Sequence, residues 1–460
     1  MSLENNYHLM RGILELLRES VPVKFGVNKE NELTRLAYEI CLRDNVSPET
    51  LFDEIGMRGL VEQGRGGLFH NVKRRLLWKR YPLFRSGDDP GFLPLKISED
   101  DKEYPAWNGT LAPDTIFVEK SEKNKEWTKR FLEKFPGAGI TEINSFKEGV
   151  NSLPRPAQAE LYNNRHDKIF LIRNKDAFIK ICPCTKGYKR CGYWILNTGF
   201  GCPIDCSYCF LQSYSNSPGL ILPSNIEEYT GYIERFDKEV KVKTRIGTGE
   251  FTDSLALDKY TGYTDTLIPV FKKTKNLVLE LKTKVTEIDH IFRYQPGENV
   301  VISWSMNTPD MAERYEKGSS SVEERVKAAE RAVRAGYKTG FHFDPVIYSQ
   351  GWEEEYRSVI DMMFSSGEIR ENTVWISIGT LRYMPDLKQV AEQRFGDNLL
   401  YYTGDFFQDT DGKLRYPREL RTDIYKKMAG WIKAYSSSCW VYLCMEPGDL
   451  WREAGLRSWF

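Results

Sequence analysis

From Tyr193 onward the chain settles into a regular rhythm of short apolar runs and amphipathic helices. Runs with strand character lie at about 193–198, 242–247, 276–281, 299–305, 338–343 and 373–379. Helical patterns fill most of the gaps, as at 321–335 and 353–364. Six strands separated by helices pair in parallel through right-handed crossovers. The class is therefore α/β. A partial (β/α)6 barrel of the TIM type and an open doubly wound sheet both satisfy the pattern.

The residues before this rhythm are of another kind. Residues 7–20 and 29–43 read as amphipathic helices, the first carrying Leu9, Ile13, Leu16 and Leu17 on one face, the second Leu33, Leu36, Ala37, Ile40 and Cys41. Ser47 and Pro48 open a third helix as its cap and first position. Gly64-Arg65-Gly66-Gly67 is a breaker, and the stretch 86–113 is rich in Gly, Pro and Asp like a linker. The expected division is a mostly helical N-terminal appendage at 1–105 and an α/β segment at 106–192 with strands at 115–119 and 168–172. The barrel follows at 193–400, and a completing region with a hairpin, a helix at 421–436 and a strand at 439–444 fills 401–460.

Lys plus Arg and Asp plus Glu each number 65, so the net charge is zero. That excludes a protein that coats nucleic acid by bulk charge, but not a local basic groove. No apolar run approaches the roughly 18 residues of a membrane span. The first residues lack the charged-then-apolar pattern of a secretory signal, so the expectation is a cytoplasmic protein with no membrane partner. Six of the nine cysteines fall between Cys182 and Cys209, which in a large chain of this kind suggests a metal site rather than a disulfide framework.

The strongest signal is Cys202-Pro-Ile-Asp-Cys206-Ser-Tyr-Cys209, directly after the first strand of the series. Three thiolates at this spacing can hold three irons of a 4Fe–4S cluster and leave the fourth open to a small molecule. The alternatives are a zinc site, which would need a fourth ligand from outside the loop, and buried structural thiols.

The triplet, with an aromatic residue before its third cysteine, resembles that of the radical S-adenosylmethionine enzymes. Cys206-Ser-Tyr208-Cys209-Phe210-Leu211-Gln212 is similar to the corresponding run of the spore photoproduct lyase family. Phe251-Thr252-Asp253, Thr283-Lys284, Ser305-Met306-Asn307, Ala335-Gly336-Tyr337 and Gly351-Trp352-Glu353-Glu354 follow in the family's order. The resemblance runs from about Thr115 to Tyr356 and selects the partial barrel. It implies a lyase that uses a 4Fe–4S cluster and S-adenosylmethionine to generate a 5′-deoxyadenosyl radical and repairs thymine lesions in DNA. An electron donor such as flavodoxin or ferredoxin, and damaged DNA or another nucleic acid, would be its partners.

The resemblance carries roles to particular residues. Cys202, Cys206 and Cys209 would ligate the cluster. Tyr208 would pack by the cofactor, and Lys284, Ser305 and Asn307 would line the S-adenosylmethionine pocket. Glu250 stands where the lyase has its hydrogen-donating cysteine. A carboxylate has no weak bond to hydrogen to offer a carbon radical. With Gly249 it instead resembles the turn that grips the S-adenosylmethionine amino group. Phe210 stands where the lyase has a tyrosine. These departures keep a second reading open: a related radical enzyme acting on a different nucleotide, a tRNA or a small molecule.

Other candidates come from position. Asp253, His342 and Asp344 fall at strand ends, where barrel enzymes carry their sites. Cys182, Cys184 and Cys191 could supply a replacement hydrogen donor, with Cys191 favoured for a catalytic role, or bind a second metal together with Cys439 or Cys444, or be reduced structural thiols. Asp411-Gly412 reads as a hairpin turn that could serve as a DNA wedge. Lys73, Arg74, Arg75, Lys79 and Arg80 around Trp78 could meet phosphates and a base, or form a solvated helix face.

Overall fold

The structure is a computed structural model that describes residues 2–62, 67–83, 99, 101, 103–175 and 177–457. Of the breaker at Gly64 to Gly67 only Gly67 is among them, and the expected linker at 86–113 is described only in part. The chain divides into two compact units. One comprises Ala106–Val346, Gly351–Thr380 and Arg421–Phe460; the other comprises Met1–Pro105, Ile347–Gln350 and Leu381–Leu420.

The larger unit is built on an eight-stranded sheet. Seven strands are parallel and lie side by side in chain order: Trp194–Leu196, Thr244–Gly247, Leu277–Thr283, Val300–Ser305, Lys338–Val346, Thr373–Thr380 and Trp440–Leu443. Ile179–Ile181 adds an antiparallel edge beside Trp194–Leu196. The order never reverses, so there is no switch point of the doubly wound kind. The sheet is curled. Arg245 donates to the Tyr442 hydroxyl at 2.6 Å, although their strands stand five places apart. In a flat sheet five spacings amount to roughly 24 Å, beyond the reach of both side chains. The result is an open half-barrel with a side-chain-filled lumen. All six expected strands occur, and the expected terminal strand joins the same sheet as a seventh.

The same unit holds a second, four-stranded parallel sheet, in the order Gly139–Ile143, Thr115–Glu119, Lys168–Ile172, Leu220–Pro223. The two expected strands, 115–119 and 168–172, form its centre. Their apolar runs are buried, as parallel strands covered on both faces must be. Leu220–Pro223 comes from sequence downstream of the cysteine triplet, so this sheet and the barrel are interleaved along the chain.

In the smaller unit the expected helices are Leu3–Ser20, Val27–Asp44 and Pro48–Glu54. Ser47 caps the third by accepting from the Thr50 amide at 3.2 Å. Residues beyond the expected appendage complete this unit. Arg35 pairs with Glu392, and Lys388 reaches Glu39 at 2.7 Å. Arg80 binds Glu39 at 2.7 Å and the Tyr401 carbonyl at 3.1 Å. Lys73 pairs with Glu32, and Lys79 with Glu54 at 2.8 Å. Much of the basic run on Leu68–Arg80 is therefore engaged within the unit, while Trp78 remains 56% exposed. The hairpin expected around Asp411-Gly412 is present, with Phe407–Gln408 against Leu414–Arg415. Its two cations close back on it: Lys413 and Arg415 both bind Asp411, at 2.8 and 2.6 Å.

Candidate active site at the barrel mouth

The cysteine loop is pinned by four sets of contacts. Arg165, fully buried, donates to the carbonyls of Cys202 at 2.7 Å, Pro203 at 3.2 Å and Ile204 at 3.3 Å, and to Asp205 at 3.0 Å. The short strand Asp205–Cys206 pairs antiparallel with Glu316–Lys317, which sets Cys206 opposite Glu316. The Gly201 amide donates to the Phe251 carbonyl at 2.9 Å, tying the loop to the turn after the Thr244–Gly247 strand. Gln212 donates to the carbonyls of Cys206 and Ser207, each at 2.8 Å.

The donor set fits an iron–sulfur cluster. Cys206 is buried with Trp107, Ile204 and Ala256, and Cys202 and Cys209 pack against the same group. Burial raises all three thiols, Cys202 to about 12. Such thiols lose their protons when a cation replaces them. Among the described residues no group of three or more His, Cys, Asp or Glu is placed around a single metal ion. Three thiols on one pinned loop, each for its own iron, is the arrangement a cluster uses.

Beside the loop lies a buried charged network that gathers three of the expected pocket residues. Its centre is Glu316. Tyr208 donates its hydroxyl to Glu316, and Lys284 reaches Glu316 at 3.0 Å and the Tyr208 hydroxyl at 3.2 Å. Arg325 pairs with Glu316 at 2.6 Å, and Asn307 donates to it at 3.4 Å. Burial alone would raise the Glu316 carboxyl; Arg325 and Lys284 overcome it and hold the group down at about 2. Asn307 accepts in turn from the Tyr356 hydroxyl at 2.6 Å. Ser305 sits at the strand end, and its carbonyl accepts from Arg325 at 2.8 Å. Neither Glu316 nor Arg325 belongs to a motif. Arg325 did leave a trace, as a charge on the apolar face that carries Val322, Val326 and Ala329.

The remaining candidates separate by role. Asp253 accepts from the amides of Leu255 and Ala256, each at 2.9 Å, from the Thr283 hydroxyl at 2.7 Å and from the Lys284 amide at 2.8 Å. Its carboxylate braces the turn against the next strand. His342 donates to Glu280 at 2.7 Å, deep in the lumen, where Ser303 and Trp375 also donate to Glu280 at 2.7 Å. Asp344 is half-buried one strand position beyond Phe343. Gly249 is required by space: a Cβ there would stand 2.9 Å from that of Lys282. Glu250 is half-buried and has no hydrogen bond or ion pair among the described residues.

Cys184 donates to Cys182 across 3.7 Å, and Cys191 accepts from Arg245 at 3.4 Å. Cys439 is buried, and Cys444 follows the last barrel strand. All nine cysteines are free thiols.

The sequence matches the family model for spore photoproduct lyase over residues 111–437. The chain belongs to the spore photoproduct lyase family. Curated relatives include the spore photoproduct lyases of Clostridium acetobutylicum, 23% identical over 53% of this chain and 72% of that protein, and of Bacillus subtilis, 24% identical over 62% and 83%. Among solved structures, a spore photoproduct lyase variant with bound AdoMet and dinucleoside spore photoproduct superposes with a TM-score of 0.63. It is 21% identical and covers 72% of this chain and 99% of its own. That likeness supports the half-barrel fold. No helix among the described residues is long and apolar enough to cross a membrane.

Proposed function

We propose that this chain is a radical S-adenosylmethionine enzyme that repairs a thymine lesion in DNA. The observation that carries the reading is the pinned loop of Cys202, Cys206 and Cys209, joined by strand pairing to the Tyr208–Glu316–Lys284 network. Family membership and relatives named as lyases support it. Cys202, Cys206 and Cys209 would hold a 4Fe–4S cluster, which together with S-adenosylmethionine would supply a 5′-deoxyadenosyl radical.

The chain's own residues do the rest. Arg165 and Glu316 hold the loop rigid. Lys284, Ser305 and Asn307 present donors to the carboxylate end of S-adenosylmethionine, and Glu250 meets its ammonium as a charge-assisted pair. Glu250 makes no hydrogen bond or ion pair among the described residues, which suits that task. The hydrogen donor is a thiol other than residue 250. Cys191 stays the first choice from position, with Cys182, Cys184 and Cys444 as further sources. Burial raises Cys191 and keeps it protonated, as a hydrogen-atom donor must be. Cytoplasmic residence and an electron donor of the flavodoxin or ferredoxin class belong to the same proposal.

The test is DNA carrying the methylene-bridged thymine dimer, supplied to the anaerobically reconstituted, reduced protein with S-adenosylmethionine. Restored thymine is the expected product. Formation of 5′-deoxyadenosine without thymine favours the second reading, radical chemistry on a different substrate, which the Glu250 and Phe210 replacements motivate.

A further inference from the structure

Two polar side chains flank the Glu250 turn with no partner of their own. Tyr193 is 92% buried by its relative exposure of 8%, and its hydroxyl has no hydrogen-bond partner among the described residues. It lies directly over the turn, since a Cβ on Gly247 would stand 1.9 Å from that oxygen. Lys282 crosses the other end of the turn at Gly249. Its backbone is fixed there: the Lys282 amide donates to Ser254 at 3.0 Å and its carbonyl accepts from the Ser254 amide at 3.0 Å. It lies two residues after Glu280 on the same strand, so both side chains face the lumen. The Lys282 ammonium has neither a hydrogen bond nor an ion pair among the described residues.

A buried hydroxyl without a partner is costly unless a ligand satisfies it, and the half-buried Lys282 ammonium on the other side of the turn keeps its hydrogen-bond donors for the same ligand. We propose that Tyr193 and Lys282 are substrate contacts that donate hydrogen bonds to carbonyl oxygens of the bound base. The inference rests on the radical reading above and names the group recognised. A neutral acceptor fits better than a phosphate. Glu250, Glu280 and Asp344 all lie within electrostatic range of Lys282 and favour its charged form against burial. They would repel an anion entering beside it. A thymine ring presents two carbonyl oxygens, one on each side of its N3–H, which suits two separated donors.

The experiment uses the cluster-loaded, unreduced protein with S-adenosylmethionine. Binding of the lesion dinucleoside, which has no phosphate, is compared with binding of the phosphate-linked dinucleotide. Lys282→Met and Tyr193→Phe should each weaken both ligands alike, by about ten-fold, with little salt dependence. Lys282→Arg should recover part of the loss, and the cluster absorbance reports that each variant is folded. Unchanged affinity in both variants overturns the proposal. So does a loss confined to the phosphate-linked ligand, which would make Lys282 a phosphate contact. Wild-type protein that binds neither ligand also overturns it. S-adenosylmethionine cleavage by the same wild-type preparation then shows that the radical reading stands without it.

Discussion

At the scale of single residues, Glu316 governs the pocket. Its pair with Arg325 and Lys284 lowers it from 4.5 to about 2, a difference worth about 3 kcal/mol. Because the folded value lies below the unfolded one, that stability is present above pH 4.5 and is lost as the pH falls through about 2. Glu316→Gln should therefore cost about 3 kcal/mol near neutrality, and the gap between variant and wild type should narrow on acidification, as denaturant titrations at several pH values would show. Gly249→Ala places a Cβ 2.9 Å from that of Lys282. The turn must shift, and S-adenosylmethionine affinity should fall about ten-fold or more, measured by equilibrium binding. The cysteine triplet was legible in the sequence because ligand spacing is local. Glu316 and Arg165 were not, because each acts through a contact made only on folding, and Arg325 showed only as a charge on an apolar helix face. Asp253 was visible as a carboxylate at a strand end, but its four hydrogen bonds across the turn could be seen only on folding.

At the scale of elements, two kinds of segment behave differently. The mostly buried strands of the barrel were visible as largely apolar runs. Gly139–Ile143 was not, since four of its five residues are exposed and it carries no continuous apolar signal. The basic run on the helix Leu68–Arg80 read either as a contact for phosphates or as a solvated face, yet Arg80 is buried against Glu39. Sequence periodicity gave its helical form and could not give its partners, which are contributed by Val27–Asp44 and by residues beyond 380. Glu39 is held well below the carboxylate range: burial opposes its charge, and Lys388, Arg35 and Arg80 overcome that. Glu39→Gln leaves three cations with reduced compensation and should destabilise this unit by about 3–5 kcal/mol. Limited proteolysis of the full chain should then cut within Leu3–Ser20 or Val27–Asp44 earlier than in wild type, and an unchanged pattern would contradict this account of the network.

For the whole molecule, a half-barrel leaves one side of the lumen uncovered by paired strands, and the cysteine loop and the Glu316 network lie together at the strand ends. The alternation of strands and helices announced that architecture, and the family resemblance chose it over a doubly wound sheet. What the chain order could not announce is the interleaving, in which Leu220–Pro223 leaves the barrel to complete a second sheet. The central claim is that Cys202, Cys206 and Cys209 make this fold a radical generator. The direct measurement is anaerobic reconstitution with iron and sulfide, reduction, and quantitation of methionine and 5′-deoxyadenosine from S-adenosylmethionine. The account predicts both products in equal amounts, and their loss together with the cluster absorbance in Cys206→Ala. A fully loaded cluster that leaves S-adenosylmethionine intact, or cleavage that survives Cys206→Ala, would contradict it.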